Sequence, residues 1–219
     1  QHPDRLQVVA LGARSSGDLL MEQAQESGVP TLALYDKTAA DEHRVPGGIE
    51  AFVEIASLPE VDIVVMSVAG VIGLLPTLAA IRAGKHFLGE KPFGIDRAAN
   101  AVINAELANR PDLVVRCSSE FPFFPGVQRI VSLVKSGAIG RVLEVRCGLL
   151  HSSDLDPLKP INWKRMAKFN GEYGCMGDLG LHAAHVPFRL GFAPRDVRAV
   201  LTKVVKERPD GKGGTLPCD

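Results

Sequence analysis

The sequence has no excess of charge of either sign and no apolar run long enough to cross a membrane. Its 219 residues include 25 basic and 25 acidic side chains, so the overall charge does not favour nucleic acid or an anionic membrane as a partner. No apolar run approaches the roughly 20 residues that span a bilayer, and the first residues lack the apolar core of a signal peptide. We therefore expect a globular protein of the cytoplasm.

Cysteine pairs are also missing. The four cysteines, Cys117, Cys147, Cys175 and Cys218, are scattered through the sequence and form no CxxC pair. Metal sites and disulfide frameworks usually need such pairs or clusters. We expect thiols of the protein core and predict no metal site.

A glycine-rich phosphate loop of the GxGxxG type is absent as well. The first apolar run is followed by Gly12 and Gly17, and this spacing is wrong for a loop that brings a backbone close to a pyrophosphate. Two interpretations remain: the run is the second strand of a dinucleotide fold whose first unit is missing, or the fold binds no dinucleotide. We prefer the first.

The first 120 residues alternate short apolar runs with helical patterns. Such alternation predicts parallel strands joined by crossover helices. We therefore expect an α/β fold with a doubly wound, Rossmann-like parallel sheet that lacks its first βα unit, forming a dinucleotide-binding domain over residues 1–120. The expected strands are 5–13, 31–36, 61–70, 85–90 and 112–120, and the expected helices are 16–28, 49–58, 72–84 and 97–108.

The pattern changes after residue 120. Apolar residues predict long strands over 141–152 and 197–205, with helices over 125–140 and 177–192 and a loop rich in Pro and Gly between them. This mixture predicts part of an α+β domain, over residues 121–219, for substrate binding and oligomerisation. Two such strands leave unpaired edges, so we expect the sheet to pair with a second copy of the chain, or the region to be poorly soluble and only partly ordered.

Two stretches resemble different families. Residues 2–85, above all "GLLPTLAAIRAGK", resemble the NADPH-binding domain of 1-deoxy-D-xylulose 5-phosphate reductoisomerase. Residues 84–219, with "GEKPFG", "INWKRM" and "GDLGLH", are similar to the Gfo/Idh/MocA family of NAD(P)-dependent oxidoreductases. The second resemblance implies that Lys91, Asp178 and His182 bind the substrate and take part in catalysis.

The residues themselves support roles at a ligand site. Glu90 and Lys91 lie at the end of one expected strand, and Ser67, Val68 and Ala69 lie near the end of another. Ligands bind at the carboxyl ends of parallel strands. We expect all five residues to contact the cofactor. The ammonium of Lys91 would also stabilise an alkoxide, whereas the alternative is an ion pair with Glu90 on the surface.

Asp178 and His182 are four residues apart in a predicted helix, which places them on one face. An imidazole can take a hydroxyl proton, and a carboxylate can hold substrate or orient the imidazole. The alternative is an ordinary surface pair. Trp163, the only tryptophan, is a candidate wall of the substrate pocket together with Lys164 and Arg165, or a simple packing residue.

Cofactor choice depends on the segment after the first apolar run. Arg14, Ser15 and Ser16 stand where NAD binding would require a carboxylate, and Asp18 already lies in the next helix. A cation and hydroxyls suit the 2′-phosphate of NADP, so we expect NADP, with NAD as the alternative. The serines could instead only cap the helix.

These expectations combine into an NADP-dependent oxidoreductase that acts on a hydroxyl or carbonyl group of a sugar, inositol or polyol. One alternative is a reductoisomerase of a sugar phosphate, although Ser119 and Glu120 are followed by no histidine of the acidic metal segment "SEHN" found in that family. The other is a composite chain without catalytic activity.

Overall fold

The computed structural model describes residues 2, 4–68, 71–152, 154–171, 173–174 and 176–218. The chain divides into two compact units, residues 1–118 and residues 119–219. The division lies two residues before the domain boundary expected from the sequence, while the roles assigned to the two domains stay predictions.

Unit 1 confirms the predicted alternation of strands and helices. Every strand pair in it is parallel: β1 pairs with β2, and β4 lies between β3 and β5. The elements are β1 (Ala10–Ala13), α1 (Gly17–Ser27), β2 (Thr31–Leu34), α2 (Lys37–His43), α3 (Gly48–Ala56), β3 (Ile63–Met66), α4 (Leu74–Arg82), β4 (His86–Glu90), α5 (Arg97–Ala108) and β5 (Val115–Ser118).

Local signals explain where these helices begin and end. Helix α1 ends at Gly28, whose φ of 67° lies in the left-handed region that glycine adopts without strain. Helix α5 has the predicted bounds, and the Asp96 carboxylate accepts a hydrogen bond from the amide of Ala99 at its start. Helix α2 was not predicted. It starts in the same way, with Asp36 accepting from the amide of Ala39 at 3.0 Å.

The core of unit 1 consists of apolar side chains between the strands and their helices. Leu20 of α1 packs with Leu34 of β2, and α3 places Phe52 against the same strand pair. Ile81 of α4 and Ile103 of α5 are fully buried together beside the three-stranded sheet. This packing fixes the carboxyl ends of the strands, where the candidate ligand residues lie.

Unit 2 contains fewer regular elements. A single π-helical turn at Met176–Gly180 leads directly into the helix Leu181–Arg189, named α8. Two single 3₁₀ turns are also present, at Phe121–Phe123 and Trp163–Arg165. The regular elements are α6 (Pro125–Lys135), α7 (Ala167–Asn170), α8 (Leu181–Arg189), β6 (Glu207–Pro209) and β7 (Thr215–Pro217), of which β6 and β7 form an antiparallel hairpin.

The two long strands expected in unit 2 are wrong. Residues 141–152 and 197–205 form no strand, and many of their apolar side chains are exposed, including Leu150 at 98% and Val204 at 88%. An alternating pattern shows only that a segment could pair, whereas a strand also needs a partner for its backbone groups. Within the described residues, neither segment has one.

The prediction of core thiols holds only in part. Cys218 is buried and Cys117 is half-buried, but Cys147 is exposed because it lies in one of the segments that form no strand. Cys175 lies outside the described residues. No helix in the described part of the chain is long and apolar enough to cross a membrane.

Candidate functional site

The loop between β1 and α1 carries the three residues expected to select the cofactor. Arg14, Ser15 and Ser16 are all exposed, and the amide of Asp36 ties the loop to the end of β2 by donating to the carbonyl of Arg14 at 2.8 Å. Ser16 occupies the capping position of α1, yet its side chain makes no capping hydrogen bond. The alternative in which this serine only caps the helix is therefore wrong.

A histidine that the sequence did not single out lies beside this loop. His43, the last residue of α2, donates from Nδ1 to the carbonyl of Ala39 at 2.9 Å and places Nε2 3.0 Å from the Asp18 carboxylate. These contacts, with Asp18 as the larger cause, raise the pKa of His43 above its ordinary value. The capping residue Asp36 was the signal that could have revealed α2 and hence His43.

The other candidate cofactor residues lie along one edge of the three-stranded sheet. Met66, Gly89 and Cys117 are aligned across β3, β4 and β5. The residues that follow on β3 and β4, Ser67 and Glu90, therefore reach the same carboxyl edge, as expected. Ser67 and Glu90 are exposed, Val68 and Lys91 are half-buried, and Ala69 lies outside the described residues.

Charged groups at this edge act on the thiol of the neighbouring strand. The pKa of Cys117 is raised, first because burial disfavours the thiolate and second because of the negative charge of Glu90, while Lys91 opposes the shift. This pattern indicates that Glu90 and Lys91 lie within electrostatic reach of β5. Val68 instead packs in the apolar core beside the sheet, with Phe87 and Phe52 nearby.

Unit 2 buries the two predicted catalytic groups in adjacent turns. Asp178 lies in the π-helical turn, His182 lies in the first turn of α8, and both are buried. The Asp178 carboxylate accepts from the ammonium of Lys164, with Nζ 3.1 Å from Oδ2. The alternative of an ordinary surface pair of Asp178 and His182 is wrong, because both residues are buried.

The His182 ring is enclosed on one side by an aromatic residue. Its centroid lies 4.3 Å from that of Phe121, with 25° between the planes, and only 4% of the residue is exposed. Among the described residues, no group hydrogen-bonds its Nδ1, and the buried hydroxyl of Ser119 is likewise without a partner. Buried polar atoms are nearly always paired in native proteins, so each of these is a group that a ligand could satisfy.

The segment around Trp163 holds the lysine that pairs with the Asp178 carboxylate. Trp163 is exposed, and the ammonium of Lys164 lies 5.6 Å from its ring centroid. The backbone of Lys164 is held on both sides: its amide donates to the Asn162 side chain, and its carbonyl accepts from Asn170, both at 3.0 Å. The sequence placed Lys164 in a pocket wall, but it did not reveal that Lys164 is the partner of Asp178.

Comparisons with known proteins confirm the resemblance of the N-terminal region. Residues 1–89 match the family model of 1-deoxy-D-xylulose 5-phosphate reductoisomerase. The curated reductoisomerase of Methylococcus capsulatus is 30% identical over 244 aligned residues, which cover 99% of this chain and 61% of that protein.

The comparisons also connect the chain to sugar dehydrogenases. The levoglucosan dehydrogenase of Pseudarthrobacter phenanthrenivorans is 28% identical over 137 residues, which cover 63% of this chain and 35% of that protein. A solved levoglucosan dehydrogenase, in complex with NADH and levoglucosan, superimposes with a TM-score of 0.77 at 23% identity and covers 96% of this chain and 51% of that one. At this identity the superposition shows a shared fold.

The matched proteins are longer than this chain. The chain spans 61% of the Methylococcus reductoisomerase and about half of the superimposed dehydrogenase. The fold of the chain is Rossmann-like.

Proposed function

We propose that the protein is an NADP-dependent oxidoreductase of the Gfo/Idh/MocA type, which interconverts a hydroxyl and a carbonyl group on a sugar, inositol or polyol. The observation that carries this proposal is the buried Asp178 carboxylate, paired with Lys164 and one turn before His182, whose Nδ1 has no partner among the described residues. A fold shared with a sugar dehydrogenase over 96% of the chain supports it.

The residues of unit 1 fit a phosphorylated dinucleotide. Arg14 is exposed beside two serines, and the hydroxyl of Ser16 is not used to cap α1. These groups would hold the 2′-phosphate, since phosphate oxygens favour a cation and hydroxyl donors. Ser67, Val68, Ala69, Glu90 and Lys91 would hold the remainder of the cofactor. NAD is the alternative cofactor.

When bound, the nicotinamide supplies the site that accepts or donates a hydride. The protein moves the proton: His182 would take it from the substrate hydroxyl as the carbonyl forms. Lys91 would stabilise the negative charge that develops on the substrate oxygen. Asp178, paired with Lys164, would hold a second hydroxyl or orient the imidazole, and Trp163 would contact the apolar face of the sugar ring.

Removing the base tests this mechanism. His182→Ala should lower turnover by about 10²–10⁴-fold with a smaller effect on cofactor affinity, because general-base catalysis contributes that much. The assay follows the reduction of NADP⁺ through the absorbance of the reduced nicotinamide at about 340 nm. A panel of sugars and polyols serves as candidate substrates. The matched control is His185→Ala, on the same helix. Equal losses in both variants would show that His182 has no special role.

A second candidate function is that of a sugar-phosphate reductoisomerase. It is favoured by the match of residues 1–89 to that family. Against it, unit 2 has Ser119 and Glu120 without the histidine of the family segment, and the described residues contain no group of three or more His, Cys, Asp or Glu side chains that could hold a metal ion. NADPH oxidation that depends on 1-deoxy-D-xylulose 5-phosphate and a divalent cation would support this candidate over the first.

A third candidate is a composite chain that catalyses nothing, for which the absent glycine fingerprint is the motivating observation. The absence of NADPH binding at millimolar concentration would favour it.

We also propose that the chain associates with a second copy through residues 141–152 and 197–205, where apolar side chains are exposed. The cytoplasmic location stays a prediction.

A further inference from the structure

The His43 side chain lies against the first residue of α1, directly after the loop that we assign to the 2′-phosphate. A Cβ atom at Gly17 would come closer than 3.0 Å to several atoms of the imidazole ring. Only glycine therefore allows the ring to take this position without a shift. The ring is thereby held next to Asp18, which lies two residues after Ser16 in the first turn of α1.

The hydrogen bonds of this ring define its charge. Nδ1 lies 2.9 Å from the carbonyl oxygen of Ala39, and Nε2 lies 3.0 Å from a carboxylate oxygen of Asp18. Both partners are acceptors, so each ring nitrogen must carry a hydrogen. A neutral imidazole has one N–H, and it would turn a lone pair towards one of the two oxygens. The observed geometry is therefore that of an imidazolium paired with Asp18.

The surroundings of the ring favour the same state. Asp18 on α1 and Glu42 on α2 itself are the charged groups that act on His43. Strand β2, which also packs on α2, carries no titratable side chain. Both carboxylates raise the pKa of His43, and no cation among these groups opposes them.

We propose that the His43–Asp18 pair sets the preference between NADP(H) and NAD(H) according to pH. With His43 protonated, the charge of Asp18 is neutralised, and the loop at Ser15 and Ser16 accepts a phosphate. With His43 neutral, Asp18 is an uncompensated anion beside that loop, which repels the phosphate and offers a carboxylate to ribose hydroxyls instead. This inference rests on the proposed function.

The cofactor preference should depend on pH in one direction. The preference for NADPH is present at low pH and falls as the pH rises through the raised pKa of His43. The cofactor phosphate does not produce the same change between pH 7 and pH 9, because its second proton is lost near pH ~6. If Asp18 gains one uncompensated charge at about 7 Å from a phosphate dianion in a solvated site, the repulsion changes the affinity for NADPH by about threefold to tenfold.

The test is the ratio of the dissociation constants of NADH and NADPH, measured by calorimetry between about pH 7 and pH 9. The parent ratio should fall as the pH rises, by about threefold to tenfold between the protonated and the neutral state of His43. Asp18→Asn should keep the high ratio at every pH, because the carboxylate that repels the phosphate is absent even when His43 is neutral. His43→Gln should keep the low ratio at every pH. Glu22→Gln removes the same charge one turn further along α1 and should follow the parent.

The outcomes distinguish a failure of the proposed role of the His43–Asp18 pair from a failure of the proposed function. If both cofactors bind and the parent ratio is constant, or if both variants follow the parent, the role of the pair is wrong while the proposed function stands. If neither cofactor binds, the proposed function fails and the inference fails with it. Asp18 is fully exposed, so its substitution leaves the fold intact even if His43→Gln does not.

Discussion

Lys164 provides the clearest link between a single side chain and the proposed chemistry. Its ammonium lies 3.1 Å from a carboxylate oxygen of Asp178, and two asparagines fix its backbone from either side. A buried carboxylate is costly when it has no partner. Lys164 therefore compensates the charge of the buried Asp178 carboxylate, and within the proposed function we assign it the role of a positioning residue.

Replacing this lysine should affect both stability and catalysis. Lys164→Met should lower the free energy of unfolding by about 1–3 kcal/mol, less than for a fully buried pair because the lysine side chain is partly exposed. It should also lower kcat, because Asp178 would lose its charge or its orientation. Denaturant titration and steady-state kinetics measure the two effects. Lys164→Arg keeps the charge and should recover much of both, whereas equal behaviour of the two variants would contradict the role.

At this scale the sequence predicted some residues and could not predict others. The four-residue spacing of Asp178 and His182 indicated neighbouring groups, and both are buried in adjacent turns. The partner of Asp178 is 14 positions away in the 3₁₀ turn at Trp163–Arg165, and no periodicity in the sequence indicates such a contact. His43 was missed because its short helix carries few apolar residues, so the pattern that indicates helices was weak there.

Among the elements, the terminal hairpin of unit 2 is fastened to the loop that precedes Trp163. Arg208 of β6 is buried, and its guanidinium donates to the carbonyl oxygens of Asp154, Asp156 and Lys159. The Asp154 side chain pairs in turn with Arg165, and that hydrogen bond is the main cause of its lowered pKa. One buried cation thus orders the loop from which the Trp163–Arg165 turn begins.

Loss of this cation should loosen unit 2. Arg208→Ala should lower the free energy of unfolding by about 2–4 kcal/mol, since three carbonyl groups lose a charged, buried donor. Amide hydrogen exchange should rise over residues 154–165. Arg195→Ala, at an exposed arginine that pairs with its neighbour Asp196, should change neither quantity. A similar effect of both substitutions would mean that Arg208 does not hold the loop.

The sequence predicted an element correctly when the interactions that form it lie within the segment itself. Helix α5 was predicted to the residue because its cap, its apolar spacing and its end all lie within the segment. The strands at 141–152 and 197–205 were wrong because strand formation depends on a partner elsewhere. The β6–β7 hairpin was missed although its turn carries a local signal, since the Asp210 carboxylate accepts from the amides of Lys212 and Gly214. Its attachment through Arg208 to residues about 50 positions away has no such local signal.

For the molecule as a whole, the exposed apolar residues of unit 2 predict self-association. Leu143, Leu150, Val200 and Val204 all have exposed fractions above 80%, and large exposed apolar patches are rare on soluble monomers. Size-exclusion chromatography with light scattering should give a mass above the 23.4 kDa of one chain, with Val200→Asp shifting it towards the monomer. A monomer with slow amide exchange throughout residues 141–152 and 197–205 would contradict this.

The two resemblances have a common physical basis. Both families bind a dinucleotide at the carboxyl edge of a parallel sheet, and unit 1 contains such a sheet. The chemistry is decided elsewhere, by the residues that meet the substrate. In unit 2 we propose Asp178 and His182 for this role, and the ion pair of Asp178 with Lys164 and the burial of both groups are the observations behind our preference for the dehydrogenase.

The most direct test of the central claim is calorimetric titration of the chain with NADPH and with NADH. The account predicts that both bind, with NADPH binding more tightly, and that Arg14→Ala reduces the difference by about 1–3 kcal/mol, the strength of one charge-assisted contact to phosphate. Arg198→Ala, an exposed arginine of unit 2, should leave the difference unchanged. Absence of NADPH binding at millimolar concentration, or equal affinities for the two cofactors in the parent chain, would contradict the account.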